Sequence, residues 1–387
     1  MSILDPSAHP GATSADMTPR LKMALATLLV AVAGCGSSGS GQPPSPDGGA
    51  DAGNPRMGVV AAGVRWVGRV DTTTPTAPRF GWSGTGFIAQ LSGTGLSAAL
   101  SVTASSEVYS FKAVIDGAPQ PPFMVPAPGG TYVLASGLAA GTHTVELYRQ
   151  TEGGEGIATL TGLTVADGTL LDPPAGPARL IEVVGDSITC GYGTLGALAD
   201  TDCFPTESVW DAWGSVAART LNAEVSTVCA SGRGVVQNYD GTTIGTVPLL
   251  YPLTLANSET PLWDFHIEPD AVVINLGTND IHPSDPGATF TTTYQTLLQT
   301  VRANYPHAYI LAIIGPLLSG SQLTTIQGYI QAAVQAQNAA GDTRLEYFDQ
   351  IQPQPSSAFA CQYHPNTTEQ TLMGTQVATE IAAKLGW

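Results

Sequence analysis

The stretch LIEVVGDSITCGYG, residues 180–193, joins an apolar run to a glycine-bounded turn that carries a serine. The run LIEVV is typical of a buried strand, and the glycines that follow indicate a tight turn into a helix. In an open parallel sheet, reacting groups gather beyond the carboxyl ends of the strands. This stretch therefore makes Ser187 a candidate nucleophile, provided that a base and oxyanion donors come from elsewhere in the chain.

Strands and helices alternate from residue 180 onward. Further strand-like runs are AEVSTVC (223–229), DAVVINLG (270–277), AYILAIIGP (308–316) and RLEYFD (344–349). Apolar residues recur at helical spacing in 208–221, 289–305, 321–340 and 367–385. Such alternation predicts a three-layer α/β domain with a parallel sheet, spanning residues 177–387.

The region before this domain has a different pattern, with short alternating runs and no helical period. VRWVGRV (64–70), YSFKAVIDG (109–117) and THTVELYRQ (142–150) alternate apolar and polar residues, and Asp116-Gly117 is a hairpin signal. Residues 57–176 are therefore predicted to form an all-β sandwich. Pro173, Pro174 and Pro177 mark the boundary between the two domains.

The amino terminus has the features of an export signal. Arg20 and Lys22 precede an apolar run, Met23–Ala33, that is short for a membrane span. The run ends in Val-Ala-Gly-Cys35, which resembles a bacterial lipobox and implies cleavage before Cys35 with a lipid on that cysteine; an ordinary signal peptide is the alternative. Residues 1–35 are thus a predicted signal, and the Gly/Ser/Pro-rich residues 36–56 a predicted disordered tether. We expect an exported lipoprotein at the outer membrane, cell surface or periplasm.

Composition limits the partners. The formal net charge of −17 would repel a phosphate backbone, so we expect no nucleic acid as a partner, and a neutral substrate fits better.

We expect the protein to contact a membrane only through the lipid, and to be a monomer. Without a CxxC pair or an HExxH motif, we expect no metal and no other cofactor.

Four cysteines remain after the predicted signal, which permits two disulfides in an exported protein. They allow three pairings, and the sequence does not choose among them. Cys190 is interpreted as a packing residue or as a disulfide partner of Cys203. The four are Cys190, Cys203, Cys229 and Cys361.

Four polar blocks lie at or shortly after predicted strand ends, where they could meet as one site. Alone, each block also suits an ordinary turn or helix cap. Together they supply Ser187 as nucleophile, His364 as base, and the Ser187 N–H, the Gly232 N–H and the Asn279 amide as oxyanion donors. The blocks are Gly185-Asp186-Ser187, Ser231-Gly232-Arg233-Gly234, Gly277-Thr278-Asn279-Asp280 and Tyr363-His364-Pro365-Asn366.

This combination resembles the SGNH, or GDSL-type, hydrolases over residues 180–387. The resemblance implies a flavodoxin-like parallel sheet and assigns nucleophile, glycine donor, asparagine donor and base to Ser187, Gly232, Asn279 and His364. Gly234 is the alternative glycine donor, because the register of that loop is uncertain from sequence.

The segments GDSITCGYG, Cys203-Phe204, PLWDF, PDAVVINLGTND and Cys-x-Tyr-His-Pro-Asn look like carbohydrate esterase family 2. The leading segments RWVGRVDTTTPTAPRFGWSG and GTHTVELYRQTEG look like that family's jelly-roll sandwich. The likeness covers about residues 59–387. It implies a serine esterase that removes acetyl groups from polysaccharides or oligosaccharides of the xylan or glucomannan type.

The chain departs from the family where the triad acid would stand. Gln362 occupies the position two residues before His364, and Cys361 the position three before it. The Gln362 amide oxygen, or a backbone carbonyl, could instead accept a hydrogen bond from His364 Nδ1–H. We therefore predict a Ser187–His364 dyad with Gln362 as a possible orienting residue.

Two aromatic residues are candidate substrate contacts. Trp263 could be a sugar platform or a core residue, and Tyr192 could line the site between its flanking glycines. Two rival functions stay open: a GDSL-type lipase for longer acyl chains, and a weakened carbohydrate-binding surface lipoprotein in which the sandwich binds. The missing acid favours the second rival, and the four intact blocks speak against it.

Overall fold

The computed structural model of the chain describes residues 60–103 and 109–387. The predicted signal peptide, the lipidation site Cys35 and the tether lie outside the described residues. Within the described ranges, no helix combines the length and the apolar character that crossing a bilayer requires.

The described amino-terminal part consists of strands and one 3-10 turn, Gly153–Glu155, and this largely matches the all-β structure that the alternating pattern predicts. Its strands are β1 (Val60–Ala61), β2 (Val64–Val67), β3 (Val70–Asp71), β4 (Arg79–Phe80), β5 (Gly86–Gly93), β6 (Gly95–Val102), β7 (Tyr109–Ile115), β8 (Ala118–Pro119), β9 (Phe123–Val125), β10 (Gly129–Ala135), β11 (Gly141–Arg149), β12 (Ala158–Ala166) and β13 (Thr169–Leu171).

These strands form two antiparallel sheets around one core. The first sheet has the order β1-β2-β5-β11-β7-β8, with β13 also paired to β5 and β9 to β7. The second has the order β10-β6-β12-β4-β3. Large apolar side chains from both sheets are buried between them, as in a β-sandwich. They include Trp66, Phe80, Phe87, Leu100, Phe111, Leu147 and Leu160.

The carboxyl-terminal part alternates strands and helices. Its elements are β14 (Leu180–Gly185), α1 (Ser187–Cys190), α2 (Trp213–Leu221), β15 (Glu224–Cys229), α3 (Val247–Leu250), β16 (Leu253–Leu255), β17 (Ser258–Leu262), β18 (Ala271–Asn275), α4 (Ala288–Asn304), β19 (Tyr309–Ile313), α5 (Gly320–Ala339), β20 (Leu345–Tyr347) and α6 (Thr367–Leu385). Strands β16 and β17 form a separate antiparallel hairpin.

The main sheet of this part is parallel, with the order β15-β14-β18-β19-β20. That is the 2-1-3-4-5 order of flavodoxin-like folds, whose ligand crevice lies outside the carboxyl ends of the strands at β14. Ile181 and Val183 face α2 and α6, whereas Val184 and Val272 belong to the core beneath α4 and α5. The predicted three-layer α/β fold behind a β-sandwich is confirmed.

Helix α2 begins five residues later than the apolar spacing predicts. Ser208 is extended, and Val209–Asp211 form a separate 3-10 turn. The Ser208 hydroxyl lies 2.7 Å from an Asp211 carboxylate oxygen and 3.3 Å from Gln150 Oε1. Serine and aspartate side chains that bond locally in this way compete with helix formation.

Buried polar contacts connect the sandwich to the α/β part. Arg65 of β2 donates to both Glu224 carboxylate oxygens at 2.7 Å, and Arg69 pairs with Glu182 at 3.2 Å. Just after β11, Glu152 Oε2 accepts the Ser231 N–H at 2.6 Å. The sandwich therefore touches the loop that carries Gly232.

Candidate active site

The serine block forms a tight turn at the carboxyl end of β14. Asp186 caps the short helix α1, and its Oδ1 accepts the Ile188 N–H at 3.0 Å. A side chain at Gly185 would place Cβ 2.0 Å from Thr189 Oγ1, so the close approach of strand and helix requires glycine. Ser187 is thereby held as the first residue of α1, at the edge of the sheet where the fold predicts a ligand.

The histidine block comes to the serine from 177 residues further along the chain. His364 Nε2 lies 2.8 Å from Ser187 Oγ, which is hydrogen-bond distance. His364 directly precedes α6, and Asn366 caps that helix by accepting the Thr368 and Glu369 N–H groups. The packing of α6 against α2 thus supports the loop that carries the imidazole.

His364 is half-buried, and desolvation of its ring lowers the pKa of His364 from its ordinary value to about 4. The backbone carbonyls of Cys361 and Gln362 act in the opposite direction and favour the protonated ring. At neutral pH the imidazole is therefore uncharged. An uncharged Nε2 at 2.8 Å can accept the Ser187 proton.

The structure does not bring the Gln362 side chain to the histidine. The Gln362 amide is exposed and donates to the Thr201 carbonyl at 3.3 Å. Among the described residues, no side chain hydrogen-bonds to His364 Nδ1, and the nearby carbonyls of Cys361 and Gln362 do not form a well-aligned hydrogen bond with it. The side-chain orienting role expected of Gln362 is therefore wrong in this geometry, because the residue points its amide at another loop.

The hydrogen bonds of the second block distinguish its two candidate glycine donors, Gly232 and Gly234. The Gly234 N–H donates to Asn238 Oδ1 at 3.3 Å, so it is engaged within its own loop. The N–H groups of Gly232 and Ser187 make no hydrogen bond to the described residues. Gly232 has φ +72°, a left-handed conformation that favours glycine. These contacts favour Gly232 over Gly234 as a donor.

Asn279 reaches the same region from the carboxyl end of β18. Its Nδ2 donates to the Arg233 carbonyl at 2.9 Å and to Asp186 Oδ2 at 3.2 Å. The amide thus lies between the serine block and the glycine block. A substrate oxyanion would have to replace one of these two hydrogen bonds, of which the one to Asp186 is longer.

The carboxyl group of Asp186, the residue before Ser187, has a raised pKa. Burial, and then the charges of Asp280 and Glu152, raise its pKa to about 7, although the Ile188 N–H favours the charged form. At neutral pH a substantial fraction of Asp186 is protonated. A smaller negative charge here opposes a developing oxyanion less.

Asp280 is a functional residue whose role the sequence did not reveal. Its carboxylate accepts the backbone N–H groups of Val235, Val236 and Gln237 at 2.7 to 3.2 Å. Asp280 is fully buried, and this three-fold contact fixes the loop that follows Gly232. Its place directly after Asn279 was the only sequence signal.

Both disulfides surround the serine turn. Cys190 of α1 is bonded to Cys229, the last residue of β15, and Cys203 is bonded to Cys361. The expected Cys190–Cys203 alternative is therefore wrong. The parallel register that places Gly185 beside Cys229 also brings α1 to the end of β15, which makes the observed pair possible.

A possible metal-binding group also lies near this turn, formed by Glu152, Cys190 and Glu207. The Cys190 sulfur is in a disulfide and is not a thiolate ligand. Only two carboxylates remain, fewer than the ligand sets typical of a structural zinc site.

Comparison with known proteins places these features in a family. The family described as "Carbohydrate esterase 2 N-terminal" matches residues 66–174, and the "GDSL-like Lipase/Acylhydrolase family" matches residues 183–368. A solved family two carbohydrate esterase from Clostridium thermocellum, in complex with cellohexaose, is 35% identical; the match covers 84% of this chain and 99% of that one, with a TM-score of 0.80. The chain belongs to carbohydrate esterase family 2.

The chain also matches two curated relatives, and the match covers different shares of their lengths. "Cellulase/esterase CelE" of Acetivibrio thermocellus is 35% identical over 84% of this chain, but the match spans only 40% of that protein. An "Acetylxylan esterase / glucomannan deacetylase" of Cellvibrio japonicus is 28% identical over 71% of this chain and 76% of the relative.

Trp263 does not line the serine site of this family 2 enzyme. It follows the β16–β17 hairpin and lines a cavity of about 50 Å³ together with Trp66, Glu182 and Tyr305. Glu182 lies in the first half of β14, whereas Ser187 follows the last residue of that strand. The expected platform role of Trp263 is wrong, because the hairpin carries it toward the other end of the sheet.

Tyr192 does lie beside the catalytic pair. Its ring meets the His364 ring edge-on, with centroids 5.1 Å apart, and its N–H donates to the Ser187 carbonyl at 3.0 Å. The turn between Gly191 and Gly193 places it there. This contact makes Tyr192 a packing partner of the imidazole.

Two exposed tyrosines near the site were missed by sequence reasoning. Tyr239 is 55% exposed, donates its N–H to the Gly232 carbonyl, and stacks on His282 with ring centroids 4.0 Å apart. Tyr363 directly precedes His364 and is 61% exposed. Exposed aromatic faces flanking a catalytic pair suit a sugar ligand, but nothing in the local pattern distinguishes them from loop residues.

Proposed function

We propose that this chain is a serine esterase that removes O-acetyl groups from polysaccharides or oligosaccharides, using Ser187 and His364 as a dyad. The observation that carries the proposal is the 2.8 Å contact between Ser187 Oγ and the neutral His364 Nε2, at the ligand-binding edge of the sheet. Family membership supports the ester-hydrolase chemistry, and the substrate follows from the arguments below.

In the acylation half-reaction, Ser187 Oγ attacks the acetyl carbonyl carbon while its proton passes to His364 Nε2. The carbonyl oxygen becomes an oxyanion that the Ser187 N–H, the Gly232 N–H and the Asn279 amide would bind. When the tetrahedral intermediate collapses, the bond to the sugar oxygen breaks. That oxygen takes the proton from His364 and leaves as a hydroxyl group, with the acetyl group on Ser187.

In the deacylation half-reaction, a water molecule attacks the acetyl-serine carbonyl and gives its proton to His364. The second oxyanion uses the same donors. Collapse breaks the bond to Ser187 Oγ, returns the proton to the serine and releases acetate. No step requires a metal or an organic cofactor.

A sugar acetate suits the surroundings of this dyad. The solved relative in the comparison binds cellohexaose, and the Cellvibrio relative is named an acetylxylan esterase and glucomannan deacetylase. In this chain Tyr239 and Tyr363 offer exposed rings on the two loops that carry Gly232 and His364. The net charge of −17 suits a neutral polymer better than an anionic one.

The sandwich gives little support to the alternative that this protein only binds carbohydrate. Its aromatic side chains Trp66, Trp82, Phe80, Phe87, Tyr109 and Phe111 are buried. No tryptophan, tyrosine or phenylalanine of the described residues 60–103 and 109–176 is among the exposed large apolar residues. A sugar-binding role for the sandwich would therefore lack its usual aromatic contact.

The deciding experiment is acetate release from acetylated xylan and acetylated glucomannan by the purified chain and by Ser187→Ala. We expect release by the parent and none above background by the variant. A series of nitrophenyl esters of increasing acyl length completes the test. Activity that peaks at long chains would support the lipase alternative, and no release from any ester would support the binding protein.

Export as a lipoprotein is part of the proposal. The lipobox-like Val32–Cys35 and the preceding apolar run support cleavage before Cys35 and a lipid on that cysteine as the membrane contact. We also propose that the chain acts as a monomer. Metabolic labelling with a radioactive fatty acid should label the parent and not Cys35→Ala. Equal labelling of the two would contradict lipidation at this residue.

A further inference from the structure

The dyad lacks the group that orients the base in a triad. His364 Nδ1 has no hydrogen-bond partner among the described residues, and Gln362 turns its amide to Thr201. The carbonyls that favour the protonated ring belong to Cys361 and Gln362, so the position of this loop decides whether the imidazole stays 2.8 Å from Ser187 Oγ. The position three residues before His364 is Cys361, and its sulfur is bonded to Cys203, 158 residues earlier in the chain.

The backbone between Cys361 and His364 is unusual. Gln362 has φ +48° and Tyr363 has φ +65°, so two consecutive non-glycine residues are left-handed. Such residues persist only where the surrounding structure fixes them, and they concentrate at functional sites. A loop in this conformation would relax if its ends were released.

The loop is attached at several points: the Tyr363 carbonyl accepts from the Gln354 amide and the His364 carbonyl from the Ala360 N–H, while two further attachments lead to the segment 201–203. Cys361 is tied to Cys203 by the disulfide, and the Gln362 amide donates to Thr201. The Cys361 carbonyl in turn accepts the His364 backbone N–H at 3.0 Å, so the residue in the bridge is hydrogen-bonded to the main chain of the residue that carries the base. Of these attachments, the Cys203–Cys361 disulfide is the covalent one.

The bridge also packs against the nucleophile turn. A Cβ on Gly193 would lie 3.0 Å from Cys361 Cβ and 3.2 Å from Cys203 Cβ, which is tighter than ordinary contact. Gly193 follows Tyr192, whose ring meets the imidazole. The disulfide is therefore enclosed between the turn that carries the nucleophile and the loop that carries the base.

We propose that the Cys203–Cys361 disulfide is the positioning element of His364, and that it fixes the base against the nucleophile turn where a triad would use an acid. This inference rests on the proposed esterase function and adds to it the residues that position the base. It assigns a role to one disulfide and not to the other, because the Cys190–Cys229 bond ties α1 to β15 and has neither end in the loop that carries His364.

The test compares Cys203→Ala, Cys361→Ala and the double variant with the parent, using a small acetyl ester. Each single variant should lower kcat roughly 10- to 100-fold, because misplacing a catalytic group by about 1 Å can cost that much. KM should stay within about twofold. The double variant should be no slower than either single variant, because the bridge is lost only once.

The pH profile separates positioning from general damage. In the parent, the acid limb of kcat/KM should lie near pH 4, the pKa that burial gives His364. Without the bridge the ring becomes more hydrated, and the limb should move toward the ordinary pKa of about 6.5. The control variant Cys190→Ala/Cys229→Ala loses a disulfide too, but its limb should stay near that of the parent.

Thermal unfolding and near-ultraviolet circular dichroism should show each variant folded at the assay temperature. If the bridgeless variants do not fold, Gly193→Ala tests the same idea with the bridge intact. Its Cβ would push on both cysteines, and the proposal expects a lower kcat and a shifted acid limb. An unchanged kcat and limb in Gly193→Ala would then overturn it.

The outcomes distinguish this inference from the proposed function. A parent without Ser187-dependent ester hydrolysis would refute the function itself. An active parent with equally active bridgeless variants would refute the positioning role alone. A loss in Cys361→Ala without a loss in Cys203→Ala would also refute it, since local packing and not the bridge would then hold the base.

Discussion

In the proposed dyad, the protonation state of His364 controls the activation of Ser187. Its burial favours the uncharged ring, and no carboxylate hydrogen-bonds to Nδ1 among the described residues to offset this. In a triad the acid stabilises the imidazolium that forms in the transition state. Here only the carbonyls of Cys361 and Gln362 favour it, so the base is well placed but weak.

This weakness has a measurable pH dependence. Above a pKa of about 4, His364 is neutral and can accept the serine proton; below it, the ring is protonated and cannot. We expect kcat/KM on a neutral acetyl ester to fall as the pH drops through about 4. Asp186, with a pKa raised to about 7, titrates well above this limb.

The measurement is a kcat/KM profile from pH 3 to pH 8, with circular dichroism at each pH to show that the chain stays folded. A midpoint near 6.5 in a folded enzyme would contradict the expectation, because it would mean that the ring is hydrated or paired with a negative charge during turnover.

At the scale of elements, the loop after β15 depends on a carboxylate from another strand. Asp280 receives three backbone N–H groups from Val235–Gln237, and these fix the conformation of the segment that begins at Gly232. Burial raises the pKa of Asp280, and the backbone N–H groups of Val236, Val235 and Gln237 oppose that shift. The loop and the carboxylate stabilise each other.

Asp280→Asn should therefore lower kcat/KM by about 10- to 100-fold, since an amide offers one acceptor and places N–H groups against N–H donors, a loss of about 1–3 kcal/mol. Steady-state kinetics on the small acetyl ester checks this. Asp240→Asn is the matched control, because Asp240 is exposed on the same loop and, within the described part of the chain, its carboxylate accepts hydrogen bonds from Thr242 alone. Equal kinetics in the two variants would contradict the role of Asp280.

The sequence predicts some elements well because their signals are local. The apolar run of β14, the Asn366 cap and the helical spacing give the parallel sheet and α6 almost to the residue. The disulfide pairing and the position of Trp263 depend on which strand lies beside which, and on where a hairpin turns. Contacts of that kind have no local pattern, so Trp263 was misplaced and the Cys190–Cys229 bond was not foreseen.

The contact between Ser187 and His364 was predictable because four blocks shared one topological position. Each block alone is an ordinary turn, but all four fall at or shortly after strand ends in a parallel sheet, and such ends meet at one edge. The exposure of Tyr239 and Tyr363, and the three N–H contacts of Asp280, arise from loop conformation. Loop conformation is set by tertiary contacts and could not be derived from these residues.

At the scale of the whole molecule, the sandwich supports the catalytic loop. Glu152 follows β11, and its carboxylate accepts the N–H of Ser231, the residue before Gly232. Gln150, two residues earlier, accepts from Ser208 and from the Trp210 N–H. One short segment of the sandwich therefore braces two loops of the α/β part.

Glu152→Ala should lower kcat on the small ester roughly tenfold, the effect of about 1.4 kcal/mol lost when a buried donor next to Gly232 has no partner. Glu146→Ala, on β11 and bonded to the Tyr148 hydroxyl, is the control. Kinetics and thermal unfolding should be measured on both. If Glu152→Ala lost stability without losing kcat, the sandwich would contribute packing and not alignment.

The long separation of the catalytic residues has a consequence for synthesis on the ribosome. The described strands of the sandwich, β1 to β13, lie within residues 60–171 and pair with one another. This part can therefore begin to fold while later residues are still being translated. Ser187 emerges early, but His364 and Cys361 follow only after the last strand of the parallel sheet. Throughout elongation the nascent chain therefore carries a serine without its base, and the growing polypeptide is inert toward esters until its final segment has docked.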